Sequence, residues 1–122
     1  MVQQQRLYER ISWNSVFELT VPPSGEWAEP LKAHVLVLNI SMNGLCFESN
    51  LLLPVDDSIT LMLDNPTVGP TEGVIRWRRP GSGQLRYRYG IELTKVNVHY
   101  YLKLLEWAYS GPPDHSWSDE AM

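Results

Sequence analysis

The sequence predicts a mainly β protein in which six short antiparallel strands form a small barrel and one α-helix follows them. About six apolar segments are separated by clusters of Pro, Gly, Asn and Asp, which is typical of a small all-β domain. The segment after residue 97 instead has helical spacing. With 122 residues, 43% of them hydrophobic, the chain suits one domain with one core.

The first three predicted strands are separated by a proline-rich break and a polar turn. Ile11 to Val21 is rich in aromatic and β-branched residues and ends at the run PPSG. Lys32 to Ile40 is nearly continuous in apolar residues, which suits a strand in a barrel wall. The turn from Asn39 to Gly44 follows, and Gly44 to Ser49 (GLCFES) is predicted as the third strand.

The other three predicted strands include a hairpin. The turn PVDD precedes a strand from Ser58 to Leu63, and the run DNP ends that strand. The segments Thr71 to Arg79 and Leu85 to Thr94 flank the five-residue loop PGSGQ, which is typical of a β-hairpin. Closure of the six strands into a barrel would remove exposed strand edges.

A helix is predicted from Asn97, a suitable N-cap, to Tyr109, and the run GPP ends it. Apolar residues recur there at i, i+3, i+4 and i+7, and Leu104 and Trp107 widen the stripe. We expect the stripe to pack on the barrel or on a second copy of the chain. Its members are Val98, Tyr101, Leu102, Leu105 and Ala108 or Tyr109.

Composition disfavours several classes of protein. The net charge of −4 argues against broad nucleic-acid binding, which normally requires a basic surface. Cys46 is the single cysteine, so no internal disulfide can form. No apolar run approaches the roughly 20 residues of a membrane-spanning helix. The N-terminal run MVQQQRLYER lacks the apolar core of a secretory signal, so we expect a cytoplasmic protein.

Two polar clusters about thirty residues apart are the strongest functional signal. Arg6 and Arg10 stand four positions apart in RLYER, and Asn39, Ser41 and Gly44 lie in NISMNG. Arginine forks bind phosphate bidentately and stack on flat rings. A short Asn/Ser/Gly turn offers backbone N–H groups and small acceptors at close range. Together the clusters predict a site for a ligand that carries both phosphates and bases.

These two clusters resemble the motifs of the PilZ family, R-x-x-x-R followed by [D/N]-x-S-x-x-G. The VIRW run (Val74 to Trp77) and the YGIEL run (Tyr89 to Leu93) resemble the closing strands of its split barrel, so the resemblance covers roughly residues 5–109. It implies a bacterial receptor or adaptor for cyclic di-GMP. Ligand binding would change the conformation of the N-terminal arm and signal to a downstream partner protein.

The resemblance also implies roles for single residues. Arg6 and Arg10 would wrap over the ligand and contact phosphates and guanine edges. Asn39 and Ser41 would read a guanine edge or hold the turn. Gly44, the glycine of the [D/N]-x-S-x-x-G motif, would permit a positive φ or a close backbone approach.

One departure from the family pattern precedes the first motif. Many binding members carry a further arginine at the position of Gln5, so its absence should weaken phosphate neutralisation. Gln5, Trp77 and Arg78 are additional candidates for the ligand site.

Arginines of the predicted hairpin suggest a further candidate surface, in addition to the two polar clusters. Side chains alternate between the two faces of a strand, so regular pairing would place four arginines on one outer face and Trp77 beside Ile75 on the other. That face would solubilise the domain, bind an acidic partner or extend the ligand site. The four are Arg76, Arg78, Arg86 and Arg88.

Catalysis finds little support in the residues. His34, His99 and His115 lack metal-ligand spacing, and Ser41 has no evident Ser-His-Asp context. Cys46 lies between two apolar residues, as a small buried residue would. We therefore expect no enzyme, no metal site and no cofactor other than cyclic di-GMP as ligand.

The chain is expected to divide into three parts. Residues 1–10 would be a flexible arm, 11–110 the barrel with its helix, and 111–122 a disordered tail. Two other functions stay open: a PilZ-like adaptor that works by protein contact without ligand, and a single-stranded nucleic-acid module, which the acidic charge disfavours. Both a monomer and a homodimer are compatible with the sequence.

Overall fold

The computed structural model describes residues 8–23 and 29–111. The predicted arm, except residues 8–10, and the predicted tail, except Gly111, lie outside those ranges. The described elements are the six strands and the helix that the sequence predicts. Strands β1 to β6 span Ile11–Val21, Leu31–Ile40, Gly44–Ser49, Leu61–Asp64, Thr71–Pro80 and Tyr87–Val96, and helix α1 spans Val98–Ser110.

All strand pairs are antiparallel, and the sheet closes in the order β1-β2-β3-β6-β5-β4. Closure comes from β4, which pairs with β1 through partners such as Leu19 and Leu63. The predicted six-stranded barrel with a C-terminal helix is therefore confirmed. The fourth strand begins at Leu61 rather than Ser58, because the Asp56 carboxylate accepts hydrogen bonds from the Ser58 backbone and hydroxyl and holds a turn there.

Alternate side chains of the strands fill the barrel interior, as period-2 patterning requires. Tyr89 is fully buried, and its hydroxyl accepts from Leu53 N at 2.7 Å and donates to the Leu51 carbonyl. That pair of bonds anchors the segment between β3 and β4 to the core. Other fully buried members are Phe17, Leu19, Val37, Leu45, Phe47 and Leu63.

Helix α1 packs on the barrel, but through the two residues that widened the predicted stripe and Tyr100, and not through the stripe itself. Tyr100, Leu104 and Trp107 are buried, and Trp107 lies 4.8 Å from Trp13 between ring centroids. The predicted stripe instead contains exposed side chains such as Val98 and Leu102. The helix is apolar on two opposite sides, so periodicity alone could not identify the inner one. The two large aromatic side chains decide it, because they bury the most apolar area.

A β-bulge in β5 changes which residues face outwards. Ile75 pairs with Ile91, but Trp77 pairs with Gly90, so Arg76 is an extra residue between them. The bulge turns Trp77 to the outer face, away from buried Ile75. The expectation that both share the core face is wrong, because it assumed regular pairing.

The same irregularity separates the hairpin arginines. Arg76 binds the carboxylates of Asp57 and Glu92. Arg78 donates to the Leu53 carbonyl at 2.8 Å, and Arg88 donates to Glu48. The expected common arginine surface does not form, since three of the four side chains have separate partners.

Glu48 is a buried carboxylate that joins β3 to the β5–β6 hairpin. It accepts from the Arg88 guanidinium at 2.9 and 2.8 Å, and from the backbone N–H and hydroxyl of Ser82 at 3.1 and 2.9 Å. Burial alone would raise the pKa of Glu48, but the hydrogen bonds from Arg88 and Ser82 outweigh it and hold the pKa below its ordinary value. The charged form of Glu48 therefore stabilises the folded state.

We expect Glu48→Gln to lower the free energy of unfolding at pH 7 by about 1–3 kcal/mol, because an amide cannot satisfy both donors. The folded-state pKa is lowered, so the contribution of Glu48 is complete above the unfolded-state pKa and is lost as pH falls through the lower, folded-state pKa. Denaturant unfolding of both proteins between pH 7 and 3 measures this. The difference in unfolding free energy should shrink towards the acidic end of the range.

Exposed Glu18 provides the matched control, since Glu18→Gln should leave the unfolding free energy nearly unchanged. A constant difference between Glu48→Gln and the unsubstituted protein across this pH range would contradict the assignment.

Candidate functional site

The two predicted polar clusters meet at one end of the barrel. β1 and β2 pair so that Ile11 lies opposite Ile40 and Ser12 opposite Asn39. This register places Arg10, directly before β1, beside the turn after β2. Arg10 Nη1 donates to Asn39 Oδ1 at 3.2 Å, and the Arg10 side chain is exposed. Arg6 and Gln5 lie outside the described residues.

Ser41 holds the turn between β2 and β3. It is fully buried, and its hydroxyl lies 3.0 Å from Asn43 Oδ1 and 3.3 Å from the Gly44 carbonyl. The Ser41 backbone N–H donates to the same carbonyl at 2.8 Å. Of the two roles expected for Ser41, the contacts support the one that holds the turn.

Gly44 allows the close approach of two groups. A Cβ at this position would lie 2.7 Å from the Ile91 carbonyl oxygen and 3.3 Å from Arg10 Nη2. Its φ is not positive, so the close approach, and not a left-handed conformation, explains the glycine. The absent side chain lets the Arg10 guanidinium lie against the first residue of β3.

Tyr100 connects this turn to helix α1. Its hydroxyl donates to the Ser41 carbonyl at 2.7 Å in a fully buried position. Burial raises the pKa of Tyr100 far above its ordinary value, so the phenol stays protonated as a donor, while nearby Arg10 acts in the opposite direction. Sequence analysis did not find this residue, because a buried helix tyrosine has no local motif.

A row of residues crosses four strands of the outer face. Asn39 pairs with Cys46, Cys46 with Gly90, and Gly90 with Trp77. Directly paired residues share a face, so Asn39 and Trp77 stand at opposite ends of this cross-strand row. Three strand spacings separate them, about 14 Å. The two residues between them, Cys46 and Gly90, are small and form a low floor.

Trp77 lies flat on Gly90 at the far end of the row. A Cβ at Gly90 would lie 2.1 Å from the indole, so the glycine makes this packing possible. The Arg79 guanidinium lies 4.4 Å from the indole centroid, in a cation–π contact. Arg78 pairs with Tyr89 and so does not share the face of Trp77. Of the two additional candidates here, the structure brings Trp77 to the row and not Arg78.

More cations than anions lie near the floor of the row. Burial raises the pKa of the Cys46 thiol, the guanidinium groups of Arg88, Arg10 and Arg79 act to lower that pKa, and the Glu48 carboxylate acts to raise it. Arg88 and Glu48 form an ion pair with each other, so Arg10 and Arg79 supply the excess positive charge. An outer face with this excess and an aromatic ring suits an anionic ligand that has planar bases.

Other kinds of site are not apparent in the described parts of the chain. Within residues 8–23 and 29–111, no group of three His, Cys, Asp or Glu side chains is placed to hold a metal ion. Helix α1 is too short to span a membrane, and no described helix could do so.

Comparisons with known proteins identify the family and the fold. A family model described as "PilZ domain" matches residues 4–110. No curated protein matches the chain. Among solved structures, the Bacillus subtilis inhibitor of motility, MotI/DgrA, is similar with a TM-score of 0.56 and 16% identity, over 84% of this chain and 49% of that one. The match thus spans about half of MotI/DgrA, and at this identity it shows the fold alone.

We expect Tyr100→Phe to lower the free energy of unfolding by about 1–3 kcal/mol, because the buried Ser41 carbonyl loses its side-chain donor. Amide chemical shifts of residues 39–44 should change with it. The neighbouring Tyr101→Phe is the control, since Tyr101 is 38% exposed and should show neither effect. Equal stability of the two variants, with unchanged shifts at the turn, would contradict the role of Tyr100.

Proposed function

This chain belongs to the PilZ domain family, whose members are cyclic di-GMP-binding adaptors, and we propose that it is itself a bacterial cytoplasmic receptor for cyclic di-GMP. The observation that carries the proposal is the cross-strand row. An exposed arginine and a polar turn lie at one end of this row, and an aromatic ring lies at the other. These are the groups that a ligand with two phosphodiesters and two guanines requires.

In the proposed complex, Arg10 contacts a phosphate or a guanine O6/N7 edge. Its exposed guanidinium is tied to the barrel by one hydrogen bond to Asn39, so the fork can be redirected to the ligand with little rearrangement. Arg6, four residues earlier, supplies the second fork. The Arg79 guanidinium moves off the Trp77 indole, and a guanine stacks on that indole in its place. Asn39 and the backbone at Gly44 bind polar edges of the ligand.

Signalling follows from closure of the N-terminal arm over the ligand. Arg10 adjoins the turn, and Tyr100 joins the turn to helix α1. Ligand binding that shifts the turn therefore changes the helix position as well as the arm. Both become part of the surface that a downstream protein recognises. In this proposal the protein acts as an adaptor and not as an enzyme.

Titration calorimetry with cyclic di-GMP tests the proposal. We expect saturable heat, and Arg10→Ala should weaken binding by about 1.5–3 kcal/mol, the range for a hydrogen bond to a charged group. Arg86→Ala is the matched control, because Arg86 is exposed and lies outside the cross-strand row. The absence of heat and of chemical-shift changes at high micromolar ligand would contradict the proposal.

The position before the R-x-x-x-R motif provides a gain-of-function test. We expect Gln5→Arg to tighten binding of cyclic di-GMP by up to about tenfold, because it adds one charge-assisted phosphate contact. Gln4→Arg adds the same charge one residue away from the motif and should have a smaller effect. Equal tightening by both variants would indicate only a general effect of net charge.

A further inference from the structure

Helix α1 carries a second apolar face that the barrel does not cover. Tyr100, Leu104 and Trp107 point into the core. On the opposite side lies an outer seam, which we define as Val98, Leu102, Leu105 and Tyr109. Val98 is 71% exposed, Leu102 52% and Tyr109 57%, while Leu105 is half-buried. Contiguous exposed apolar side chains of this size mark a surface that binds another apolar surface.

The spacing of the outer seam is that of a coiled coil. Its members follow one another by alternating steps of four, three and four residues, as the a and d positions of a coiled coil do. A helix that merely lies on a globular surface needs one broad apolar stripe and a polar opposite face. Here the polar residues are confined to a narrow strip beside the outer seam. The seam therefore has the pattern of a helix that pairs with another helix.

We propose that the outer seam binds the same seam of a second copy of this chain in antiparallel orientation, which forms a two-fold symmetric dimer. This inference does not depend on cyclic di-GMP binding. A symmetric pair places one self-complementary surface on both subunits. Leu102 of one copy packs against Leu105 of the other, and Val98 packs against Tyr109.

The polar groups beside the seam favour a second copy in this orientation. Exposed His99 and Glu106 flank the same side of the seam. In the antiparallel register, His99 of each copy faces Glu106 of the other, so an imidazole N–H can donate to a carboxylate at two places related by symmetry. In a parallel pair these positions would instead face Tyr101 and Ala108, and no imidazole would meet a carboxylate.

A cleft beside the start of the helix enlarges the surface. It has a volume of about 210 Å³ and is lined by residues including Met62, Pro70, Val96 and Asn97. Met62 is itself 44% exposed. The antiparallel register brings Tyr109 of the second copy over Val98, next to this cleft. The aromatic ring thus has an apolar recess in reach at each end of the pair.

The size of the contact predicts a weak dimer. Thirteen residues make a helix about 20 Å long. A single pair of such helices buries less than the roughly 1,200 Å² of a standard stable interface. The dimer should therefore depend on protein concentration in the micromolar range.

Sedimentation velocity of the full chain without ligand tests the proposal, from about 5 to about 500 µM, the range that a contact of this size requires. The mass should rise with concentration from 14.0 kDa towards twice that value. We expect Leu102→Glu to remain monomeric throughout, because it buries two carboxylates in the seam. Leu52→Glu is the matched control, since Leu52 is 64% exposed and lies outside the helix.

Circular dichroism shows whether both glutamate variants are folded, which their exposed positions favour. A monomer at every concentration, or a dimer that survives Leu102→Glu, would overturn the proposal. A monomer that still binds cyclic di-GMP would reject the dimer and leave the proposed receptor function intact.

A charge exchange tests the antiparallel orientation. His99→Glu should weaken the dimer roughly fivefold, because two carboxylates then face each other at both symmetric contacts. The double variant His99→Glu/Glu106→Lys should restore it, since a carboxylate then faces an ammonium group at each contact. If the double variant dimerises no better than His99→Glu alone, the antiparallel register is wrong.

Discussion

The hydrogen bond from Tyr100 to the Ser41 carbonyl is the contact through which three parts of the molecule meet. It joins the helix, the turn between β2 and β3, and indirectly the arm, because Arg10 lies on the same turn. The bond is buried, so losing it would leave an unsatisfied carbonyl in the core. The turn is thus held from inside by the helix and contacted from outside by the arm.

Small residues shape the outer face of the barrel next to this turn. Gly44 lets Arg10 approach β3, and Gly90 lets Trp77 lie flat on β6. Cys46 lies between Asn39 and Gly90 in register. Larger side chains at these positions would fill the space between the polar and aromatic ends of the row. The candidate site is therefore defined as much by missing side chains as by functional groups.

Helix α1 contacts the barrel on one face and is exposed to possible partners on the other. Its inner face completes the core, and its outer seam is apolar without being covered by the described chain. A movement of the turn between β2 and β3 can therefore shift helix α1 and change the position of its outer seam. In the proposed dimer, a shift of the helix in one subunit would displace the paired helix of the other subunit. Ligand binding and self-association would then be linked and reciprocal.

The sequence by itself determined the six strands, the helix and the motif residues, because alternation, turn residues and helical spacing are local properties. It also placed Arg10 and Asn39 in one candidate site through motif resemblance. Only the tertiary structure decided the outward position of Trp77, which depends on a bulge, and the buried face of a helix that is apolar on two sides. Register and packing between distant segments decide such features, and neither leaves a periodic signal within one segment.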